Sequence, residues 1–455
     1  MNTKSPTTNA AGAQPAETRP DGTPVGRVVA ASLTAGGVAA LLLVLVVVPG
    51  APEHVITGSL LLAFGFGWAM LAVLTSRLTS RPQRWSTVPA AVMGTMGLAL
   101  LVFAPRDAAL TVLNWVWPPV MLALVAWSAV KMLAALKGRG RWFIAPVLAV
   151  LAAASIGAVT SNIADTNARQ SYPATGKLVS VGDHQLHLDC RGQGSPTVVL
   201  FNGLGEFSGS WARVTDQLTG TTRVCAYDRA GQGWSEDAAS VQDGVTAAEE
   251  LQLLLAQAGE QGPYVLAGHS IGGTYAMSFA AKYAEQVSGM VLLDSSSPQQ
   301  MTAIPSYPGQ YAVMLRGLAM GPTLARIGLG PLFSSGSHLP APAADGVQAL
   351  TSTARAARNA RDEIAMIPEV FQQAQALTLN GVPLAVLTAS ESSLGIAGWD
   401  AAQDKLAALS GNSSHRNIES THPGLIEDER GAEESSRAIA DVVTAVRTGT
   451  PLSAR

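Results

Sequence analysis

At 455 residues the chain is too long for one ordinary domain of about 150 residues, and its charged fraction of 13% is about half that of soluble domains, roughly 25%. An apolar fraction of 48% and a positive mean hydropathy exclude a disordered chain and a wholly soluble enzyme. A formal net charge of −3 offers no basic field for nucleic acid, and two cysteines exclude a disulfide-rich scaffold and a Cys-only zinc site.

The first 26 residues are rich in Thr, Pro, Ala and Asn, show no apolar period, and read as a disordered cytoplasmic tail. Residues 27–165 hold most of the charge deficit. Five charge-free stretches follow one another, at 28–52, 55–76, 85–105, 108–130 and 142–164. Each is long enough to cross a bilayer core, which takes about 20 helical residues. They predict spans at Val28–Val48, Val55–Leu74, Val88–Ala104, Leu110–Val130 and Trp142–Ser161. The third is short, and Pro118-Pro119 interrupts the fourth. Lys and Arg are unequally shared between alternate loops. Lys4, Arg19 and Arg27, then Arg77, Arg81 and Arg84, then Lys131, Lys137, Arg139 and Arg141 lie on one side; Arg106 stands alone on the other. The positive side is expected in the cytoplasm. Five spans then put everything after about Asp165 outside it, in a multi-pass protein of the cell membrane.

From Lys177 the pattern changes to short strands alternating with helices. Lys177–Val181 and Gln185–Cys190 read as a hairpin. Strands follow at Thr197–Phe201, Arg223–Tyr227, Tyr264–Gly268, Met290–Leu293, Pro383–Thr388 and His415–Ile418. Helices are expected at Trp211–Leu218, Thr246–Ala258, Thr274–Gln286, Ala401–Leu409 and Ala432–Val446. That order predicts an α/β domain with a mostly parallel sheet, whose active site lies at the carboxyl ends of the strands.

Gly268-His269-Ser270-Ile271-Gly272 is the chain's one G-x-S-x-G sequence, and it sits between a strand and a helix. A nucleophile elbow needs that setting, with glycines where a Cβ would clash. A serine hydroxyl needs a general base. His422 alone of the seven histidines lies in a loop just past the last strand. The acid that orients it is left between three carboxylates: Asp294, which ends a strand, is favoured over Glu391 and Asp400. Asn202-Gly203-Leu204-Gly205 follows a strand, and its Leu204 N–H, with that of Ile271, is placed to hold an oxyanion.

These residues together resemble the α/β-hydrolase fold superfamily over roughly 175–450. The resemblance rests on Phe201–Gly205, Asp228-Arg229-Ala230-Gly231-Gln232-Gly233-Trp234-Ser235, Gly268–Gly273, Leu292-Leu293-Asp294 and Thr421-His422, with Glu427-Asp428 beyond. It implies an eight-stranded sheet, a Ser–acid–His triad, and a helical cap between the sixth and seventh strands, here about 298–378. The family often has His-Gly at the oxyanion loop where this chain has Asn202-Gly203, and the usual Asp after the seventh strand is absent. Its serine separates the chain from the dehalogenase and epoxide-hydrolase branches, which resemble Asp-nucleophile catalysts. The family's strand order makes Cys190 and Cys225 sheet neighbours, and an extracytoplasmic site permits a disulfide between them. The function expected is a membrane-anchored serine hydrolase acting on a small-molecule or lipid-like acyl ester, without metal or organic cofactor. Its alternatives are an acyltransferase on the same scaffold and a non-catalytic membrane sensor.

Overall fold

The computed structural model describes residues 24–136, 140–239, 242–334 and 336–452. The expected tail up to residue 23, and Lys137 and Arg139 of the charge count, lie outside the described residues.

Five long helices come first: α1 (Val25–Leu42), α2 (Glu53–Leu78), α3 (Thr87–Phe103), α4 (Asp107–Ala135) and α5 (Gly140–Ser171). A π-helical turn, Leu43–Val47, prolongs α1 and a 3₁₀ turn, Arg84–Ser86, leads into α3; with them all five helices are long and apolar enough to cross a membrane. Large apolar side chains such as Leu41, Val46, Val102 and Val150 point outward, which suits lipid rather than water. Small residues let the helix backbones meet. A Cβ on Gly36 would lie 3.1 Å from Gly67 Cα, and one on Gly58 would lie 2.9 Å from the Gly97 carbonyl oxygen. Between α4 and α5 the buried Asn114 Nδ2 donates to Asn162 Oδ1 at 2.6 Å, and Asn162 Nδ2 donates back to the Asn114 carbonyl at 2.9 Å.

Helix α5 overruns the span end expected at Ser161 by ten residues. Residues 162–171 contain neither Gly nor Pro, so the helix continues until Pro173 approaches. Only residues 172–176 connect it to the sheet. That strap is clasped: Trp234 Nε1 donates to the Tyr172 carbonyl at 3.2 Å and Thr175 Oγ1 to Asp189 Oδ2 at 2.8 Å, while His187 Nε2 donates to the Thr175 carbonyl.

The sheet comprises β1 (Lys177–Val181), β2 (His184–Arg191), β3 (Val198–Phe201), β4 (Val224–Tyr227), β5 (Tyr264–His269), β6 (Val287–Leu293), β7 (Leu384–Ala389) and β8 (Ser413–Ile418). Their order is β1-β2-β4-β3-β5-β6-β7-β8; the pairings of β2 with β1 and β4 are antiparallel and the rest parallel. The central strands are buried throughout, as strands covered on both faces are. Helices α6 (Ala212–Leu218), α7 (Gly244–Ala258) and α8 (Ile271–Lys282) precede β6. After it come the cap helices α9 (Gln300–Ala303), α10 (Tyr307–Leu324), α11 (Ala343–Thr351) and α12 (Ala354–Ala374). Helices α13 (Ser390–Gly395), α14 (Trp399–Ala407), α15 (Gly424–Glu427) and α16 (Glu429–Thr448) complete the chain. Val199 and Phe201 share a core with α7, α8, α12 and α14, whereas Val198 and Leu200 face α6 and α16. Strand alternation thus feeds two apolar layers, one on each face. Cys190 pairs in register with Cys225 across β2 and β4, and a disulfide joins them.

Candidate active site

Four loops at the carboxyl edge of the sheet supply the site, those after β3, β5, β6 and β8. Ser270 follows β5 with φ 56° and ψ −129°, a conformation that costs an L-residue roughly 1–3 kcal/mol. Glycine makes the turn possible. A Cβ on Gly268 would lie 2.5 Å from Gly273 Cα, and one on Gly272 would strike the Phe201 carbonyl. The turn is tied to its neighbours: Ser270 N donates to the Leu293 carbonyl at 3.1 Å, and the Ser270 carbonyl accepts from Ser296 N at 3.0 Å. Ile271 opens α8, so its N–H has no carbonyl inside the helix to meet. In the loop after β3, Gly203 N is committed to Glu206 Oε2 at 2.5 Å, which leaves Leu204 to present the next N–H.

Asp294 follows β6 and is fully buried. Its Oδ2 accepts from His422 Nδ1 at 2.6 Å and from Ser392 Oγ at 2.5 Å. Its Oδ1 accepts from Trp399 Nε1 at 2.7 Å and from Ala389 N at 3.3 Å. Burial alone would push this carboxyl up, but the donors from His422, Ser392 and Trp399 outweigh it and hold Asp294 below the usual carboxylate range. Glu391 is also close, but it accepts the backbone N–H of His422 at 2.8 Å and leaves the ring to Asp294. Asp400 takes the Ser393 hydroxyl at 2.8 Å. The structure therefore separates the three carboxylates that the sequence left open: one holds the imidazole, one holds the loop, and one serves a neighbouring serine.

His422 donates through Nδ1, so Nε2 is its free basic nitrogen. No hydrogen bond joins it to Ser270 Oγ among the described residues; in resting enzymes such contacts are often loose and tighten when substrate binds.

Two residues next to this group had no role in the sequence reading. His269 Nδ1 donates to Glu206 Oε1 at 2.6 Å, and His269 Nε2 donates to the His422 carbonyl at 2.9 Å. Both ring nitrogens face oxygen atoms, an arrangement that favours the protonated ring beside an ionised Glu206. Burial would lower its pKa, but the Glu206 carboxylate wins and raises it; the same pairing lowers Glu206 against its own burial. Glu206 and His269 thus brace the loop after β3 against the loop carrying His422, whose ring lies 4.5 Å from that of His269. Asn202, in the position where His is common, is held in place instead: Nδ2 donates to the Tyr227 carbonyl at 2.8 Å and Oδ1 accepts from Trp211 Nε1 at 3.0 Å. A cavity of about 480 Å³ lies elsewhere, between α5 and the cap, lined by residues that include Ser161, Asp165, Pro331, Asp345 and Gln348.

Residues 196–319 match the model of the α/β-hydrolase fold family. The solved structure of the Cif epoxide hydrolase of Acinetobacter nosocomialis is similar over 62% of this chain and 96% of its own, with a TM-score of 0.52 and 15% identity, which speaks to fold alone. An uncharacterized protein of Schizosaccharomyces pombe is 32% identical over 193 residues, 36% of this chain and 35% of that protein. A putative carbamate hydrolase of Cronobacter turicensis is 33% identical over 104 residues, 22% of this chain and 38% of that protein. The chain thus spans little more than a third of these curated relatives. The second half of the chain is an α/β-hydrolase fold domain. It is set behind an N-terminal region of five long apolar helices.

Proposed function

We propose that the protein is a membrane-anchored serine hydrolase that cleaves a carboxylic ester or similar acyl substrate. The observation that carries the reading is the 2.6 Å bond from His422 Nδ1 to buried Asp294, set beside a strained Ser270 at a strand-to-helix turn. Ser270 Oγ attacks the acyl carbonyl while His422 Nε2 takes its proton. The resulting oxyanion is held by the N–H groups of Leu204 and Ile271. His422 then returns the proton to the leaving alcohol, and an acyl-enzyme remains. Water, activated by the same nitrogen, attacks the acyl carbon and frees Ser270 and the acid. Asp294, ionised throughout, fixes the imidazole tautomer and stabilises its cation. The five helices anchor this domain outside the cytoplasm, as the bias of Lys and Arg between the loops supports.

A fluorophosphonate probe tests the reading. Ser270 of the full chain should displace its fluoride and become labelled, and Ser270→Ala should remain unlabelled while still folded. Labelling that survives in the variant would place the nucleophile elsewhere.

A further inference from the structure

The end of α10 and the chain that follows it do not rest above the five helices; they run down beside them. Leu315 packs on Gly50, in the loop between α1 and α2. One turn on, Ala319 clusters with Val44 and Ile56, and Met320 packs against the same cluster. Thr323 Oγ1 lies 2.8 Å from Thr57 Oγ1. Thr57 is four residues into α2, ~6 Å along its axis from Glu53. On α5, Ser161 Oγ donates to the Ala325 carbonyl at 3.1 Å, and a Cβ on Gly157 would strike the Ile327 carbonyl. Gly157 lies ~6 Å deeper along that helix than Ser161, where the sequence ends the span. Contacts on two separate helices therefore assign the same depth.

Side chains that flank the contacting segment have the character lipid requires. Val313, Leu332 and Phe333 are 68%, 76% and 61% exposed. From 313 to 333 the charged residues are Arg316 and Arg326, with no acid. Arg326 reaches back to Glu53 at the start of α2, with Nη2 3.2 Å from Oε2. Arg316 stays exposed, as a cation facing lipid phosphates does. Interfacial segments bury their apolar side by about 5–10 Å below the headgroups, the depth that these contacts define.

We infer that residues 313–333 form a foot of the cap embedded in the lipid leaflet on the hydrolase side, with Val313, Leu332 and Phe333 against acyl chains. The inference rests on the reading that the five helices cross a bilayer, but it does not need the domain to be catalytic. Since Cys190 and Cys225 are joined, an introduced cysteine is the free thiol available to a spin label. Labels at Val313→Cys, Leu332→Cys and Phe333→Cys go into the full chain in nanodiscs of phosphatidylcholine and phosphatidylglycerol. Val46→Cys on the outer face of α1 is the lipid reference, and Leu253→Cys on α7 the aqueous one. The labels at 313, 332 and 333 should each collide with oxygen in preference to a neutral nickel chelate by a ratio well above that at 253 and no greater than that at 46. Readings at all three equal to 253, with 46 in lipid, would overturn the foot alone. An aqueous reading at 46 as well would overturn the membrane-spanning reading along with it. Dipolar broadening between labels at 333 would identify a second copy of the chain as the occupant and overturn the lipid assignment.

Discussion

Asp294 and Glu391 both hold His422, but by different atoms, and that difference predicts unequal consequences. Asp294→Asn presents an amide to Nδ1 and removes the charge that stabilises the imidazolium; in a related triad such a change costs about 10⁴-fold in turnover. Glu391→Gln keeps an acceptor for the His422 N–H and should cost less than about tenfold. Steady-state hydrolysis of a fluorogenic ester compares them, and a dead Glu391 variant beside an active Asp294 variant would reverse the assignment. The Glu206–His269 pair predicts a pH signature. The raised pKa of His269 contributes stability that is full below its ordinary value of about 6.5 and is lost as pH rises through the folded value. The lowered pKa of Glu206 contributes stability that is full above its ordinary value of about 4.3 and is lost as pH falls through the folded one. The pair is therefore at full strength between about pH 4.5 and 6.5. Glu206→Gln removes the largest influence that raises His269, so its pKa falls towards what burial favours, and keeping it neutral costs stability as pH drops. The melting temperature of the variant should trail that of the natural chain by more at pH 6 than at pH 9. An equal deficit at both, read by calorimetry, would mean that no charged pair exists. Ser270 and His422 were legible as candidates through motif and chain order, and Asp294 as one through its place at a strand end. Glu206, Ser392 and Trp399 were not: they reach their partners across 63 to 105 residues, and nothing in their local sequence marks the contact.

Among the elements, the strands were legible to within a residue or three, because buried apolar runs bounded by turn residues leave little choice. Helix α13 has no counterpart among the expected helices; its six residues are too few to show a helical period. The overrun of α5 was missed because counting charge finds where a lipid-compatible stretch stops, whereas backbone hydrogen bonding decides where a helix stops. Descent of the cap along α2 was also hidden, since α10 has no charge pattern that distinguishes packing on a hydrolase core from packing on a membrane helix. Strand pairing carries a prediction of its own. The bond between Cys190 and Cys225 closes a loop of 35 residues, a constraint worth about 4 kcal/mol through the unfolded chain. Replacing both cysteines with alanine should lower the unfolding free energy of the hydrolase domain by that order in urea titration. A loss below about 1 kcal/mol would mean that sheet packing, not the crosslink, holds β2 on β4.

At the scale of the whole molecule, on the reading that the five helices cross a bilayer, the polarity of the chain across it decides what Ser270 meets. A single cysteine placed in the 75–87 loop should resist an impermeant maleimide on intact cells, while one near the C-terminus should react. The reverse pattern would place the hydrolase domain in the cytoplasm. Whichever face it occupies, the strap of residues 172–176 spans at most ~20 Å, and its carbonyls are already held by Trp234 and His187. On the proposed reading, a catalytic unit moored so short patrols only the lipid sheet in which it is planted. Substrate resident in that sheet arrives by lateral diffusion, so turnover follows its mole fraction per unit area rather than its bulk molarity. On that reading, diluting such a substrate with inert lipid should slow hydrolysis even when the total amount is unchanged, and a second membrane facing the first across an aqueous gap should lie out of reach.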